Sequence, residues 1–188
     1  MSDAKSRISK REPAKRVFAF EICRSIHSMN GAVKKILLPT GELCSRVYFV
    51  GALLEKEETQ PKSGMWRLRI SDPTGAVLCF AGKYQQDVLD ALHDIQPPAL
   101  VAVVGKLRVF EGDKGEVPYI RPESLTVVDA NTRDIWLLET AQRTMERLEQ
   151  MEKSATAESK HAWKIYSPDL NKFREEVERV KNLTLKSE

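Results

Sequence analysis

The stretch MWRLRISDPTGAVLCFAGKYQ, Met65 to Gln85, decides the fold of this 188-residue chain. Its first part alternates strictly between apolar and basic side chains, which is typical of a β-strand with two different faces. The two faces carry Trp66, Leu68 and Ile70 on the apolar side and Arg67 and Arg69 on the basic side.

A turn signal follows this first run. The sequence DPTG at 72–75 places a proline, which presets φ, before a glycine, which accepts a positive φ. Asp72 is interpreted as a turn residue. The run AVLCF at 76–80 then resumes the strand pattern, so the stretch predicts a β-hairpin.

Three further β-rich runs surround the hairpin. They are Arg46–Leu54 (RVYFVGALL), Leu100–Phe110 (LVAVVGKLRVF) and Val117–Val128 (VPYIRPESLTVV). A glycine inside the first of them, Gly51, predicts a bulge or a bend at a barrel corner.

One amphipathic stretch interrupts the strands. Tyr84, Val88, Leu92 and Ile95 recur at helical spacing, and prolines at 97 and 98 end the pattern. Three strands, one helix and two strands is the order of an OB-fold. We therefore predict a mainly β chain with helices, built on a five-stranded OB-fold barrel, a fold that binds oligonucleotides across its second and third strands.

The rest of the chain divides by composition. We expect a flexible basic arm over 1–16, either a solvated tail or a phosphate contact, and a segment over 17–43 that packs on the barrel. The barrel is predicted over 44–129, and an amphipathic helix, capped by Asn131, over 130–153. A linker over 154–167 and a final helix over 168–188, with Ser167 and Pro168 at its start, complete the chain.

The helix after the barrel carries a narrow apolar seam of Leu138, Ala141, Met145 and Leu148, at spacings of three, four and three. The helix could fold back on its own barrel, or it could join helices of other chains in a bundle. We favour the second interpretation, because so narrow a stripe after a complete barrel suits a partner helix.

Composition and motifs limit the classes of protein to which this chain can belong. The net charge of +3 neither requires nor excludes a nucleic-acid partner. The odd cysteine count without a CxxC pair, and the lack of an N-terminal signal segment, favour a cytoplasmic setting, and the longest apolar run, Ala99–Val104, is too short for a membrane span. Scattered histidines and the absence of nucleotide-binding glycine motifs predict no catalysis, cofactor, metal site or small-molecule substrate.

Several segments resemble one known family when taken in order. They are REPAKRVFAFE (11–21), LLPTGE (37–42), RVYFVG (46–51), the stretch at 66–85, PPALVAVVGKLRVFE (97–111) and RPESLTVVDANTRDIWLLETA (121–141). Together they resemble the archaeal RPA-associated proteins, which are OB-fold subunits of replication protein A complexes. The resemblance covers roughly residues 11–152. More distantly, a barrel followed by one helix is similar to the medium subunit of replication protein A.

The resemblance implies single-stranded DNA as a partner and other replication protein A subunits, joined through a helix bundle, as further partners. It matches two base-stacking aromatics of that family to Phe80 and Tyr119. Alternation alone leaves open whether these two rings face the core, whereas Trp66 is expected to pack inside. The cations that would follow the phosphates are Arg67, Arg69, Lys83, Lys106, Arg108 and Arg121.

Three functions fit this sequence. The first is a subunit that binds single-stranded DNA in replication, repair and recombination. The second is a scaffold that recruits a larger DNA-binding subunit and does not touch DNA. The third is an RNA-binding OB module, because an OB surface does not reveal which sugar it binds.

Overall fold

The computed structural model of this chain describes residues 12–25, 27–29, 34–113 and 115–186. Residues 1–11 of the predicted basic arm lie outside this range. The arm prediction is wrong for its last two residues, because they form strand β1 (Lys15–Arg16), which pairs in parallel with the first long barrel strand. The remaining N-terminal elements are α1 (Ala19–Cys23), β2 (His27–Met29), β3 (Lys35–Leu37) and β4 (Leu43–Cys44).

Five strands form the barrel, and their order confirms the OB-fold. They are β5 (Arg46–Glu58), β6 (Trp66–Asp72), β7 (Gly75–Ala81), β8 (Ala99–Gly112) and β9 (Gly115–Val127). Hydrogen-bonded neighbours run β5-β6-β7-β9-β8, and a further antiparallel pairing of β8 with β5 closes the sheet. Only the β7–β9 pairing is parallel among these barrel strands.

Closure requires two close approaches of backbone, and a glycine lies at each. A Cβ on Gly51 would lie 2.4 Å from the carbonyl oxygen of Ser71, and one on Gly105 would lie 2.5 Å from that of Arg121. The β8–β9 register shifts beside Gly105, whereas the β5–β6 register shifts at Leu54 rather than at Gly51. Gly51 is therefore needed for a close contact between strands.

The DPTG turn joins the barrel to the N-terminal segment. Asp72 accepts hydrogen bonds from the backbone N–H groups of Thr74 (2.7 Å) and Gly75 (3.1 Å), and from that of Ala19 in α1 (2.8 Å). Burial raises the pKa of Asp72 to about 6, against the hydrogen bonds that favour its charged form. Asp72 is thus a turn residue that also fixes α1 on the barrel.

The interrupting helix, α2 (Gln86–Asp94), is shorter than predicted. It buries Val88 and Leu92 against the barrel, and Ile95 follows it in the core. Tyr84 was predicted to share this apolar stripe, but that prediction is wrong. Tyr84 precedes the helix and is 85% exposed.

Helix α3 (Ala130–Glu152) packs back on its own chain. Asp129, rather than Asn131, caps it by accepting a hydrogen bond from Thr132 N–H at 2.8 Å. Trp136 is 1% exposed, donates its ring N–H to the Tyr48 carbonyl at 3.0 Å, and meets the ring of Phe18 edge to face.

Two more helices end the described chain: α4 (Ala157–Tyr166) and α5 (Leu170–Leu185). The predicted linker over 154–167 is thus largely helical. Ser167 ends α4 with a φ of +41°, and Asp169 caps α5, so the start predicted at Ser167 and Pro168 is displaced. Phe173 of α5 packs on Phe20 at a ring-centroid distance of 5.0 Å. In the part of the chain that the structure describes, none of the helices is long and apolar enough to cross a membrane.

Candidate nucleic-acid interface

Phe80 and Tyr119 lie on the outer face of the barrel. Their strand neighbours Cys79 and Ile120 are fully buried, so alternation directs the two rings away from the core. Both rings are half-buried, which leaves part of each accessible. Trp66, on the inward face of β6, is half-buried and packs against the core.

A third ring completes a cluster that the sequence did not predict. Phe110, at the end of β8, is 39% exposed, and its centroid lies 5.9 Å from that of Phe80 and 5.6 Å from that of Tyr119. The centroids of Phe80 and Tyr119 are 5.5 Å apart. The rings meet edge to face, at interplanar angles of 84°, 61° and 81°. We call Phe80, Phe110 and Tyr119 the aromatic cluster.

The register of the sheet explains this cluster. Leu78 pairs with Tyr119, so Phe80 and Tyr119 share one face across the β7–β9 junction. Arg108 pairs with Tyr119, and Phe110 lies two residues further along β8 on the same face. The GDKG loop at 112–115 joins β8 to β9 and so indicates their register. That register could have predicted from the sequence that Phe110 lies near Tyr119.

Three of the predicted cations border the aromatic cluster. Arg108 pairs with Tyr119 and Lys106 pairs with Arg121 across β8 and β9, so all of these side chains point outward. Burial, together with the neighbouring Arg121 guanidinium, lowers the pKa of Arg108. Among the described residues, no carboxylate lies within ion-pair distance of these three cations, which makes this patch receptive to an anion such as a phosphate.

The two arginines of β6 have a different environment. Arg67 pairs with Glu57 at 2.8 Å and Arg69 with Glu55 at 3.0 Å, both across the β5–β6 ladder. They lie on the same outer face, because Arg67 is opposite Phe80. Their charges are balanced within the protein, so the face predicted as basic on β6 is largely neutral.

Lys83 lies beyond the end of β7, beside a groove of about 350 Å³. The groove runs along Phe80, Tyr119 and Arg121 and continues to Tyr84. The ammonium group of Lys83 lies 5.1 Å from the centroid of the Tyr84 ring. Phe80, Tyr119, Lys83 and Arg121 thus line one groove, and the other four predicted cations lie at outward-facing positions of β6 and β8.

The predicted subunit seam is only partly available. Ala141 and Leu148 are fully buried within the chain, so the expectation that they face other subunits is wrong for these two residues. Helix α5 packs along α3 and buries Phe173, Val177 and Val180 at the same apolar spacing. Leu138 and Met145 remain half-buried, and Ile135 on the same helix is 51% exposed.

The described residues contain no candidate metal centre. They contain no group of three or more His, Cys, Asp or Glu side chains that could hold an ion. Cys23, Cys44 and Cys79 are free thiols, and burial raises the pKa of Cys44 to about 12.

Comparison with models of known protein families gives no match for this sequence, and comparison with curated protein sequences gives none either. Solved structures do match. A chain from the structure of a replication protein A heterotrimer bound to single-stranded DNA superposes with a TM-score of 0.57 and 18% identity, over 72% of this chain and 98% of that one. The two chains share the OB-fold.

Two other matches are more partial. Asparaginyl-tRNA synthetase from Pyrococcus horikoshii aligns with a TM-score of 0.43 and 17% identity, over 63% of this chain and 24% of the synthetase. The mitochondrial single-stranded DNA binding protein Rim1 from S. cerevisiae aligns with a TM-score of 0.35 and 22% identity, over 45% of this chain and 94% of Rim1.

Proposed function

We propose that this protein binds single-stranded DNA across the outer face of its barrel, as a subunit of a replication protein A complex of the archaeal type. The observation that carries the proposal is the aromatic cluster, half-exposed rings beside three cations that have no carboxylate at ion-pair distance among the described residues. Binding of single strands without sequence preference needs these two features, aromatic faces for the bases and a basic path for the phosphates. The proposed activity is binding in replication, repair and recombination, without catalysis.

The match to a replication protein A heterotrimer bound to single-stranded DNA supports the same function by analogy of fold. The analogy extends to other subunits as partners. On α3, the side chains that remain available to partner helices are Ile135, Leu138 and Met145. These lie at spacings of three and seven, on one side of the helix.

The test replaces two rings of the cluster. The F80A/Y119A double variant should lose about 2–6 kcal/mol of binding free energy for a labelled oligothymidylate at constant salt, because each lost base stack costs about 1–3 kcal/mol. Fluorescence anisotropy measures the affinity, and circular dichroism checks that the variant is folded. I135A is the matched control, since it removes an exposed apolar side chain from α3, away from the barrel face.

The outcomes separate the three functions. A folded double variant that binds as tightly as the parent would contradict the proposed site. A parent protein that binds no oligonucleotide favours the scaffold function. An RNA of equal length that displaces the DNA at lower concentration favours the RNA-binding module.

A further inference from the structure

Tyr84 is the most exposed large apolar side chain of the described residues, and nothing in the barrel core requires it. It lies in the short connection between β7 and α2. Single exposed rings are common on protein surfaces, and what distinguishes Tyr84 is its place beside the groove of the aromatic cluster.

The connection that carries Tyr84 is held at both ends. The Gln85 N–H donates to the Gly82 carbonyl at 2.8 Å, and the Gly82 N–H donates to the Gln85 side-chain oxygen at 2.9 Å. Val88 N–H then donates to the Gln85 carbonyl at 3.0 Å, which starts α2. The ring is therefore displayed from a fixed turn.

The groove beside the aromatic cluster leads to this ring. Tyr84 and Arg121 line the groove of about 350 Å³ together with Phe80 and Tyr119. The same two residues also line a second groove, of about 360 Å³, on the far side. Tyr84 is thus a ridge between two grooves, with cations Lys83 and Arg121 beside it.

The second groove is less favourable for a phosphate backbone. Asp87 and Glu123 line it; Glu123 is paired with Arg46 at 2.5 Å, whereas no ion pair balances Asp87 among the described residues. A single strand that follows the cations from the aromatic cluster therefore meets Lys83 and Arg121 as far as Tyr84, and the Asp87 carboxylate beyond it.

We propose that Tyr84 and Lys83 form a second base-stacking site, which holds a base at one end of the bound single strand. This inference rests on the proposed function and adds to it where the strand leaves the barrel face. The base lies on the Tyr84 ring, and Lys83 and Arg121 contact the adjoining phosphates. The bound length is accordingly greater than the aromatic cluster alone would contact.

The experiment compares Y84A, Y84F and F80A on oligothymidylates from about 4 to about 16 nucleotides, the range of site sizes for one OB-fold. Y84A should weaken the binding of the longer oligonucleotides by about 5- to 150-fold and leave the shortest unaffected. Y84F keeps the ring and should bind like the parent. F80A should weaken binding at every length.

Different results would contradict the proposed function and the proposed Tyr84 site. If F80A weakens binding while Y84A matches the parent at all lengths, the Tyr84 site is wrong and the proposed function stands. If Y84F is as weak as Y84A, the hydroxyl rather than the ring face makes the contact, and the stacking proposal is overturned. If the parent binds no oligonucleotide, both proposals fail.

Discussion

Two kinds of arginine lie on the outer face of the barrel, and they differ in their neighbours. Arg67 and Arg69 are each balanced by a glutamate of β5, at 2.8 and 3.0 Å. Arg108 and Arg121 lie side by side, without a carboxylate at ion-pair distance among the described residues. A phosphate that binds Arg67 or Arg69 must displace a protein carboxylate. A phosphate that binds Arg108 and Arg121 instead reduces the repulsion between their two guanidinium groups.

This difference predicts different salt dependences. R108A/R121A should flatten the slope of log K against log salt by about 1.4 on single-stranded DNA, because each lost phosphate contact removes about 0.7. R67A/R69A, the matched control on the same face, should change the slope by less than half as much. Anisotropy titrations at several salt concentrations measure both slopes. Equal flattening by the two variants would show that the β6 arginines contact phosphates despite their glutamates.

At the scale of elements, one buried ion pair holds α1 against α3. Arg147 of α3 is 7% exposed and donates to both carboxylate oxygens of the fully buried Glu21, at 2.9 and 3.0 Å. The hydroxyl groups of Thr40 and Thr144 donate to the same carboxylate, at 2.7 and 3.1 Å. The Phe18 N–H also donates to Glu21, at 3.0 Å, so this carboxylate is hydrogen-bonded from three separate parts of the chain.

Removing the cation should leave this carboxylate buried and uncompensated. R147M is expected to lower the free energy of unfolding by about 3–5 kcal/mol, measured by urea denaturation. R174M is the matched control, since Arg174 pairs at 2.8 Å with the exposed Glu152 and should cost less than about 1 kcal/mol. Similar losses in the two variants would contradict a special role for the buried pair.

The sequence predicts elements well where one local pattern decides them. Alternation in β6, the DPTG turn and the glycines at close approaches are local, and they led to the barrel order that the structure shows. Phe110 escaped prediction because its outward position depends on the register between β8 and β9, and register is a property of two strands. The neutralisation of Arg67 and Arg69 escaped for the same reason, since their glutamates lie on β5.

For the helices, prediction from the sequence has a different limit. The apolar spacing on α3 indicated correctly that something covers this helix, but spacing does not say which chain supplies the cover. In the structure α5 packs along α3, Ala141 and Leu148 are buried within the chain, and Phe18 of the N-terminal segment packs on Trp136. Helix α4 escaped because its polar start, SATAES, is also typical of a linker.

At the scale of the whole molecule, the barrel and the helices share one core. Helix α3 contributes Trp136, Leu137, Ala141, Leu148 and Met151 to the buried cluster that contains the barrel interior. The N-terminal segment contributes Phe18 and Ile22, both fully buried. A barrel that ends at residue 129 therefore exposes the apolar surface that α3 covers.

Truncation after Asp129 should not leave a stable, soluble barrel. Deleting a buried Trp, Leu or Met side chain costs about 2–5 kcal/mol, so losing the four large α3 residues at once costs about 8–20 kcal/mol, as much as the 5–15 kcal/mol that typically stabilises a domain. Truncation after Lys153 keeps these residues and removes α4 and α5, so it should lower the free energy of unfolding yet leave a cooperative transition. Urea denaturation followed by circular dichroism, with light scattering for aggregation, distinguishes the two chains. If the chain ending at Asp129 unfolds cooperatively and stays monomeric, the barrel is an independent unit and α3 is free to leave it for a partner subunit.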